Sequence, residues 1–227
     1  IKLIDESDIT FNSGDRISYD DITDLSLEHF RKNDIIRLLP ISVLGIFETE
    51  INNISIDFNY IDINDYEKKD LIIDGNDVEI YKMIDKRTGI EYAGKEYIFD
   101  KYGYNLLSSY INISQELYII SKMKHPSINQ FVGFSPGGKH PILITKFAVN
   151  GTLHDIVSLL GRINEVPEWT DTRKLIIIYG IASGMAYLHS HNIIHRDLKP
   201  SNIILDEYLF PTINDFGLSR FIFDDII

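Results

Sequence analysis

Residues 191–207 read HNIIHRDLKPSNIILDE, and the fold turns on how this stretch is understood. Its flanks, Ile193 and Ile194 on one side and Ile203, Ile204 and Leu205 on the other, predict two short buried strands. Between them His195, Arg196, Asp197, Lys199 and Asn202 fall within eight residues. Pro200 lacks an N–H and is expected to exclude a helix there. So much charge beside a core needs a purpose. A single Asp or Asn in a loop is most often a turn or cap residue, and a single His near a helix end is most often structural. Five such residues in one stretch are not explained in that way.

Composition narrows the purpose. The chain has 227 residues, enough for one or two domains with a substantial core. Its net charge of -12 argues against a nucleic-acid surface or an anionic membrane as partner. There is no cysteine, which excludes disulfides and thiolate metal sites and fits a reducing, cytoplasmic compartment. The longest uncharged apolar run, Leu175 to Leu188, is shorter than the ~20 residues a spanning helix needs. Residues 1–64 carry 13 acids against 5 bases, with an amphipathic helix expected around Leu25 to Leu39 and a strand near Ile41 to Phe47. No chemistry is legible there, and residues 1–65 read as an acidic flank.

From Tyr66 the periodicity sharpens. Leu71 to Asp74, Val78 to Ile84 and Ile90 to Phe99 predict strands, with Lys86-Arg87-Thr88-Gly89 as a hairpin turn. Leu106 to Lys124 carries a helical period and stops at His125-Pro126. Phe131 to Phe134 and Ile142 to Thr145 predict two more strands, split by Ser135-Pro136-Gly137-Gly138. Two helices follow, Leu153 to Leu160 and Asp171 to His189, the second with Ile178, Ile181, Met185 and Leu188 on one face. Strands first and helices second predict an α+β chain, a small antiparallel lobe followed by a helical one.

His195-Arg196-Asp197-Leu198, three residues and then Asn202 match the catalytic loop of protein kinases, and Asp215-Phe216-Gly217 follows thirteen residues later. From about Tyr66 to Arg220 the chain resembles a eukaryotic protein kinase domain. GMAYLHSHNIIHRDLKPSNIILD and NDFGLSR are most similar to the tyrosine-kinase-like group of Ser/Thr kinases. The resemblance implies the two-lobed kinase fold, with a small lobe over 66–145, a hinge over 146–148 and a partial large lobe over 149–227. It implies transfer of the γ-phosphate of ATP, with Mg²⁺, to Ser or Thr hydroxyls of a protein substrate.

The resemblance also assigns roles. Asp197 would accept the proton of the attacking hydroxyl, Lys199 would stand by the transferred phosphate, and Asn202 and Asp215 would hold Mg²⁺. His195 would pack on Phe216, and Arg196 would meet a phosphorylated activation loop. Tyr92-Ala93-Gly94-Lys95 stands where kinases read V-A-I-K, so Lys95 would hold the α- and β-phosphates. Its partner would be Glu116, nine residues before His125 and the only acid between Asn105 and Lys124. Thr145 falls at the gatekeeper position, with Lys146, Phe147 and Ala148 as hinge. Ile80 and Ala93 would roof the adenine and Ile204 would floor it.

The glycine-rich loop departs from the pattern. Its three glycine positions fall on Ile73, Gly75 and Val78. β-Branched residues take positive φ only at a cost, so a stiffer loop with a weaker hold on phosphate is expected. A pseudokinase that binds nucleotide and serves as a signalling scaffold is therefore a second reading, and a small-molecule phosphotransferase a third. Lys199, the DFG triplet and the His-Pro segment speak against the third. The chain reaches Ile227 before any A-P-E motif, so this piece alone is expected to be unstable and inactive, with apolar surface uncovered on the long helix.

Overall fold

The structure is a computed structural model. It describes Ile9–Thr10, Arg16–Ile17 and residues 59–98, 106–136, 140–160 and 169–222, with 106–111 as helix backbone. The elements expected over Leu25 to Leu39 and Ile41 to Phe47 lie outside the described residues. β1 (Ile9–Thr10) and β2 (Arg16–Ile17) form a short antiparallel pair.

Five strands build the small lobe: β3 (Tyr66–Asp74), β4 (Val78–Asp85), β5 (Glu91–Tyr97), β6 (Phe131–Ser135) and β7 (Ile142–Lys146). They pair antiparallel in the order β3-β4-β5-β7-β6. The turn between β4 and β5 closes as its residues dictate. Asp85 accepts from the amides of Arg87 and Thr88, and Gly89 takes φ +72°. The β3–β4 turn is tighter. The Gly75 amide donates to the Val78 carbonyl at 2.9 Å, and a Cβ at Gly75 would stand 2.6 Å from that oxygen. Ile73 and Val78 themselves pair within strands. The expected conflict between β-branching and positive φ therefore does not arise, because both residues are extended.

Between β5 and β6 runs α1 (Leu106–Lys122), and every residue from Ile113 to Ile120 is buried. Ile113, Leu117, Tyr118, Ile119 and Ile120 pack with Tyr97, Phe134 and Leu143 in the main core. The loop after α1 is tied to the large lobe. Asn129 donates to the Ile213 carbonyl at 2.9 Å, and Ile213 donates to Ser127 at 2.8 Å.

The large lobe contains α2 (Leu153–Leu160) and α3 (Asp171–Ser190), followed by paired strands β8 (Ile193–Ile194) with β11 (Arg220–Phe221), and β9 (Ile203–Leu205) with β10 (Pro211–Ile213). Thr170 caps α3, its Oγ1 accepting from Arg173. The buried face of α3 is Ile177, Gly184 and Leu188, with Ile181 half-buried. Ile178, expected on that face, is 62% exposed. The helix rolls because Gly180 and Gly184 are drawn onto Pro211, Ser127 and Ile213; a Cβ at Gly184 would come within 2.8 Å of Ile213. Leu175 and Tyr179 join Ile178 in the open, so α3 does present the expected apolar surface. Two further expectations are corrected. Ile194 is exposed, since β8 and β11 form a two-stranded ribbon with one inward face. Pro200 opens a 3₁₀ turn, Pro200–Asn202, rather than excluding helix, because its missing N–H is not needed at a first position. No helix among the described residues is long and apolar enough to cross a membrane.

A segment before β3 completes the small lobe. Asn59 and Ile61 bracket edge strand β6, with Phe134 donating to Asn59 at 3.0 Å and Ile61 donating to Phe134 at 3.1 Å. Asn59 Nδ2 donates to the Val132 carbonyl. Ile61 and Ile63 then pack on a second cluster, Met83, Ile142 and Ile144, on the outer face of the sheet. Gly133 makes room for this strap: a Cβ there would lie 2.5 Å from Ile61 Cγ2 and 2.9 Å from the Asn59 carbonyl. Gly133→Ala is expected to lower stability by about 1–3 kcal/mol, as overpacking does. Urea unfolding checks this, and an unchanged midpoint would mean the strap yields without cost.

Candidate active site

Lys95 lies on β5, paired with Leu143 of β7 and Ile80 of β4, and its side chain points into the cleft between the lobes. Its ammonium contacts Glu116 Oε1 of α1 at 2.6 Å and Asp215 Oδ1 at 2.9 Å. Burial alone would drive the Lys95 proton off, but the charges of Glu116 and Asp215 reverse this and hold its pKa above the ordinary lysine range. Burial likewise opposes charge on Asp215, and Lys95 overrides it, so the carboxyl titrates below its usual range. One cation and two anions leave the trio with a net negative charge, an environment that favours an added cation.

His195 is buried, and its two nitrogens are assigned by their neighbours. Nδ1 accepts from the Asp197 amide at 3.3 Å, so Nε2 carries the proton and donates to the Asn214 carbonyl at 3.0 Å. Its ring meets Phe216 edge-on, centroids 5.2 Å apart. Burial holds the imidazole pKa below the ordinary value, against the Asn214 hydrogen bond and nearby carboxylates that raise it. The neutral ring thus joins the 195–197 and 214–216 loops.

Asp197 Oδ2 receives Lys199 Nζ at 2.7 Å and Asn202 Nδ2 at 2.8 Å. These contacts, Lys199 first, keep its carboxyl low. Asn202 Nδ2 also donates to the Asp197 carbonyl, at 2.9 Å. Both bonds aim the amide nitrogen at Asp197. Arg196 and Asp215 take φ +67° and +63°, a backbone region that is costly for non-glycine residues and concentrates at functional sites.

A cavity of about 280 Å³ opens between the lobes. Ile80, Ala93 and Leu143 give it apolar walls; Lys95, Glu116, Asn202 and Asp215 form its charged and polar end. Gly75 and Thr145 also line it. Asp197 lines an adjoining cavity of about 360 Å³ that shares Lys95, Glu116 and Asp215. Lys146, Phe147, Ala148 and Ile204 do not line the first cavity. Lys146 is exposed, Lys82 approaches the Phe147 ring at 5.3 Å, and Ile204 pairs with Thr212 while Ser201 and Asn202 close the lower side. Sequence reasoning missed Leu143 and Asn214. Leu143 was legible as the residue two before Thr145, on the same strand face. Asn214 links His195 through its carbonyl and Asn129 through Oδ1, and nothing in the sequence singles it out.

The residues suit a nucleotide with Mg²⁺. Among the described residues no three His, Asp or Glu side chains gather into a preformed metal cage. Two oxygen ligands, Asn202 and Asp215, are what a Mg²⁺ that keeps phosphates and water needs from a protein.

The family model for the protein kinase domain matches residues 66–225. Serine/threonine-protein kinase PLK4 of Drosophila sechellia is 34% identical over 160 residues, 69% of this chain and 20% of its own length. Cold-responsive protein kinase 1 of Arabidopsis thaliana is 37% identical over 108 residues, 46% of this chain and 28% of its own length. Serine/threonine-protein kinase STY17 of the same plant is 33% identical over 107 residues, 47% of this chain and 18% of its own length. The chain thus spans about a fifth of the PLK4 relatives it matches.

The depressed imidazole of His195 has a consequence for stability. The unfolded histidine takes a proton below pH ~6.5 and the folded one does not, so its contribution is present above that pH and lost as pH falls. Stability should drop by at most about 1.4 kcal/mol per pH unit from this source. His195→Gln should flatten that part of a pH series of thermal melts. An identical slope in both proteins would assign the drop elsewhere.

Proposed function

The chain belongs to the protein kinase family, and on that premise we propose that it transfers the γ-phosphate of ATP to Ser or Thr hydroxyls of proteins. The observation that carries this reading is the engaged Lys95–Glu116–Asp215 trio standing beside Asp197 and Asn202. Lys95, already charged and aimed into the cleft, holds the α- and β-phosphates. Asn202 and Asp215 hold Mg²⁺, which supplies charge neutralisation at the phosphates. Ile80 and Ala93 cover the adenine, Leu143 gives a further apolar wall, and Thr145 stands at its edge.

In the transfer, the substrate hydroxyl oxygen bonds to the γ-phosphorus as the bond to the β,γ-bridging oxygen breaks. The hydroxyl proton passes to Asp197. That carboxylate is held low by Lys199, so it is a weak base, and a weak base suits a loose transition state in which the proton leaves late. Lys199 is two residues from Asp197 and bonded to it, which places a second cation where charge moves to the transferred group.

The wording of residues 184–206 supports assignment to the tyrosine-kinase-like group. We divide the chain into an acidic flank, 1–65, whose last residues strap the small lobe, and a kinase domain, 66–227, and the cysteine-free composition fits a cytoplasmic setting. The scaffold reading drew on Ile73 and Val78 in the glycine-rich loop. Both are extended strand residues, where β-branching is favoured, and the turn keeps the one glycine its close approach requires. That observation supports turnover over scaffold.

Radiolabel transfer from γ-labelled Mg-ATP to a generic Ser/Thr protein substrate tests the reading. Asp197→Asn, which keeps the Asn202 contact region isosteric, should lower the rate about 100-fold or more. Equal rates would remove Asp197 from the chemistry. Nucleotide binding without transfer in either protein would favour the scaffold.

A further inference from the structure

A larger cavity, of about 740 Å³, opens where the end of α1 and strand β6 meet the loops of the large lobe. It is separate from the nucleotide cleft, since Ile120 alone among its lining residues also lines the cavity there. Its floor is apolar. Ile120, Met123 and Ile128 are buried, and Phe131 and Val132 are half-buried beside them. The volume falls within the range of about 300–1,000 Å³ in which proteins hold small molecules.

Most polar side chains on the wall are already engaged. Asn59 Nδ2 donates to the Val132 carbonyl at 2.6 Å, Ser121 Oγ to the Tyr118 carbonyl at 2.9 Å, and Asn129 Nδ2 to Asn214 Oδ1 at 3.0 Å. His125 accepts from the Ser127 amide through Nδ1 and meets Ser183 Oγ through Nε2. Asp206, the single carboxylate on the wall, accepts from the amides of Tyr208 and Phe210 through Oδ1. The two cations differ from all of these. Lys124 bonds to Tyr187 through its backbone amide, and its ammonium has no partner among the described residues. The Lys146 ammonium reaches Glu207 at 3.8 Å, with both side chains about half exposed, a contact that contributes little. Two weakly held cations against one engaged carboxylate leave this wall positive, in a chain of net charge -12.

We propose that this cavity is a second binding site, for a small organic anion with a flat apolar body. The body lies on the apolar floor, whose burial supplies the affinity. The anionic group meets Lys124 and Lys146, which select the sign of the charge. The site goes beyond the phosphoryl-transfer reading and does not depend on it.

The test titrates the 227-residue chain with two fluorescent probes, anilinonaphthalene sulfonate and the uncharged phenylnaphthylamine, which has the same rings without the sulfonate. The variant carries Lys124→Glu and Lys146→Glu together. It should bind the sulfonate about tenfold more weakly or worse, and the neutral probe within about twofold of the parent. Both lysines are exposed, so the variant should melt with the parent. The milder pair Lys124→Gln and Lys146→Gln should show the same selectivity to a smaller extent. An unchanged sulfonate Kd overturns the inference, because the probe then sits elsewhere, the open face of α3 included. Equal weakening of both probes overturns it too, since the substitutions would then act on the shape of the cavity and not through charge. A parent that does not bind the sulfonate removes the site altogether.

Discussion

A lysine ammonium taken out of water and held between two carboxylates fixes the rest of this molecule. Removing such a charge from water costs several kcal/mol unless its partners are well placed. At Lys95 the partners come from distant parts of the chain, Glu116 from α1 and Asp215 from the loop after β10. A shift of the helix or of the loop alone would cost Lys95 one of its two carboxylates. The strand, the helix and the large lobe are thus locked into one arrangement by a contact that also faces the cleft.

The lower half of the site is held by a different principle. His195 is neutral, and it joins two loops by accepting from one and donating to the other. Arg196 and Asp215, next to those anchor points, take the left-handed backbone conformation that the loops otherwise disfavour. The hydrogen bonds and the buried Phe216 contact hold that strain in place. Polar bonds set the angles of the loops, and the core sets their depth.

Much of this was legible in the sequence, because local rules and the site's chemistry agreed. Strand alternation, the turn over Lys86 to Gly89 and the helical run from Leu106, which ends at Lys122 rather than Lys124, each carry a short-range signal. Glu116 was found from its register and its isolation among apolar neighbours, and it is the observed partner of Lys95. Where reading failed, the deciding contact was distant. Ile178 fits the helical period of α3 as well as Ile177 does, and only the close approach of Gly180 and Gly184 to β10 selects between them. Which close approach Gly75 permits, that of the Val78 carbonyl, is likewise set by the pairing of β3 with β4. The strap over 59–65 carries no strand or helix signal, and it is held by β6 and by the cluster of Met83, Ile142 and Ile144.

That strap begins seven residues before the region matched by the family, 66–225. A protein trimmed to the matched boundary would keep every residue of the site and lose the cover over Met83, Ile142 and Ile144. It would also bare β6, the outermost strand of the sheet, whose backbone groups Asn59 and Ile61 now engage. Open edges of that kind recruit other chains. Such a trimmed kinase domain would fail first as a colloid, by edge-to-edge aggregation, with its chemistry still intact on paper.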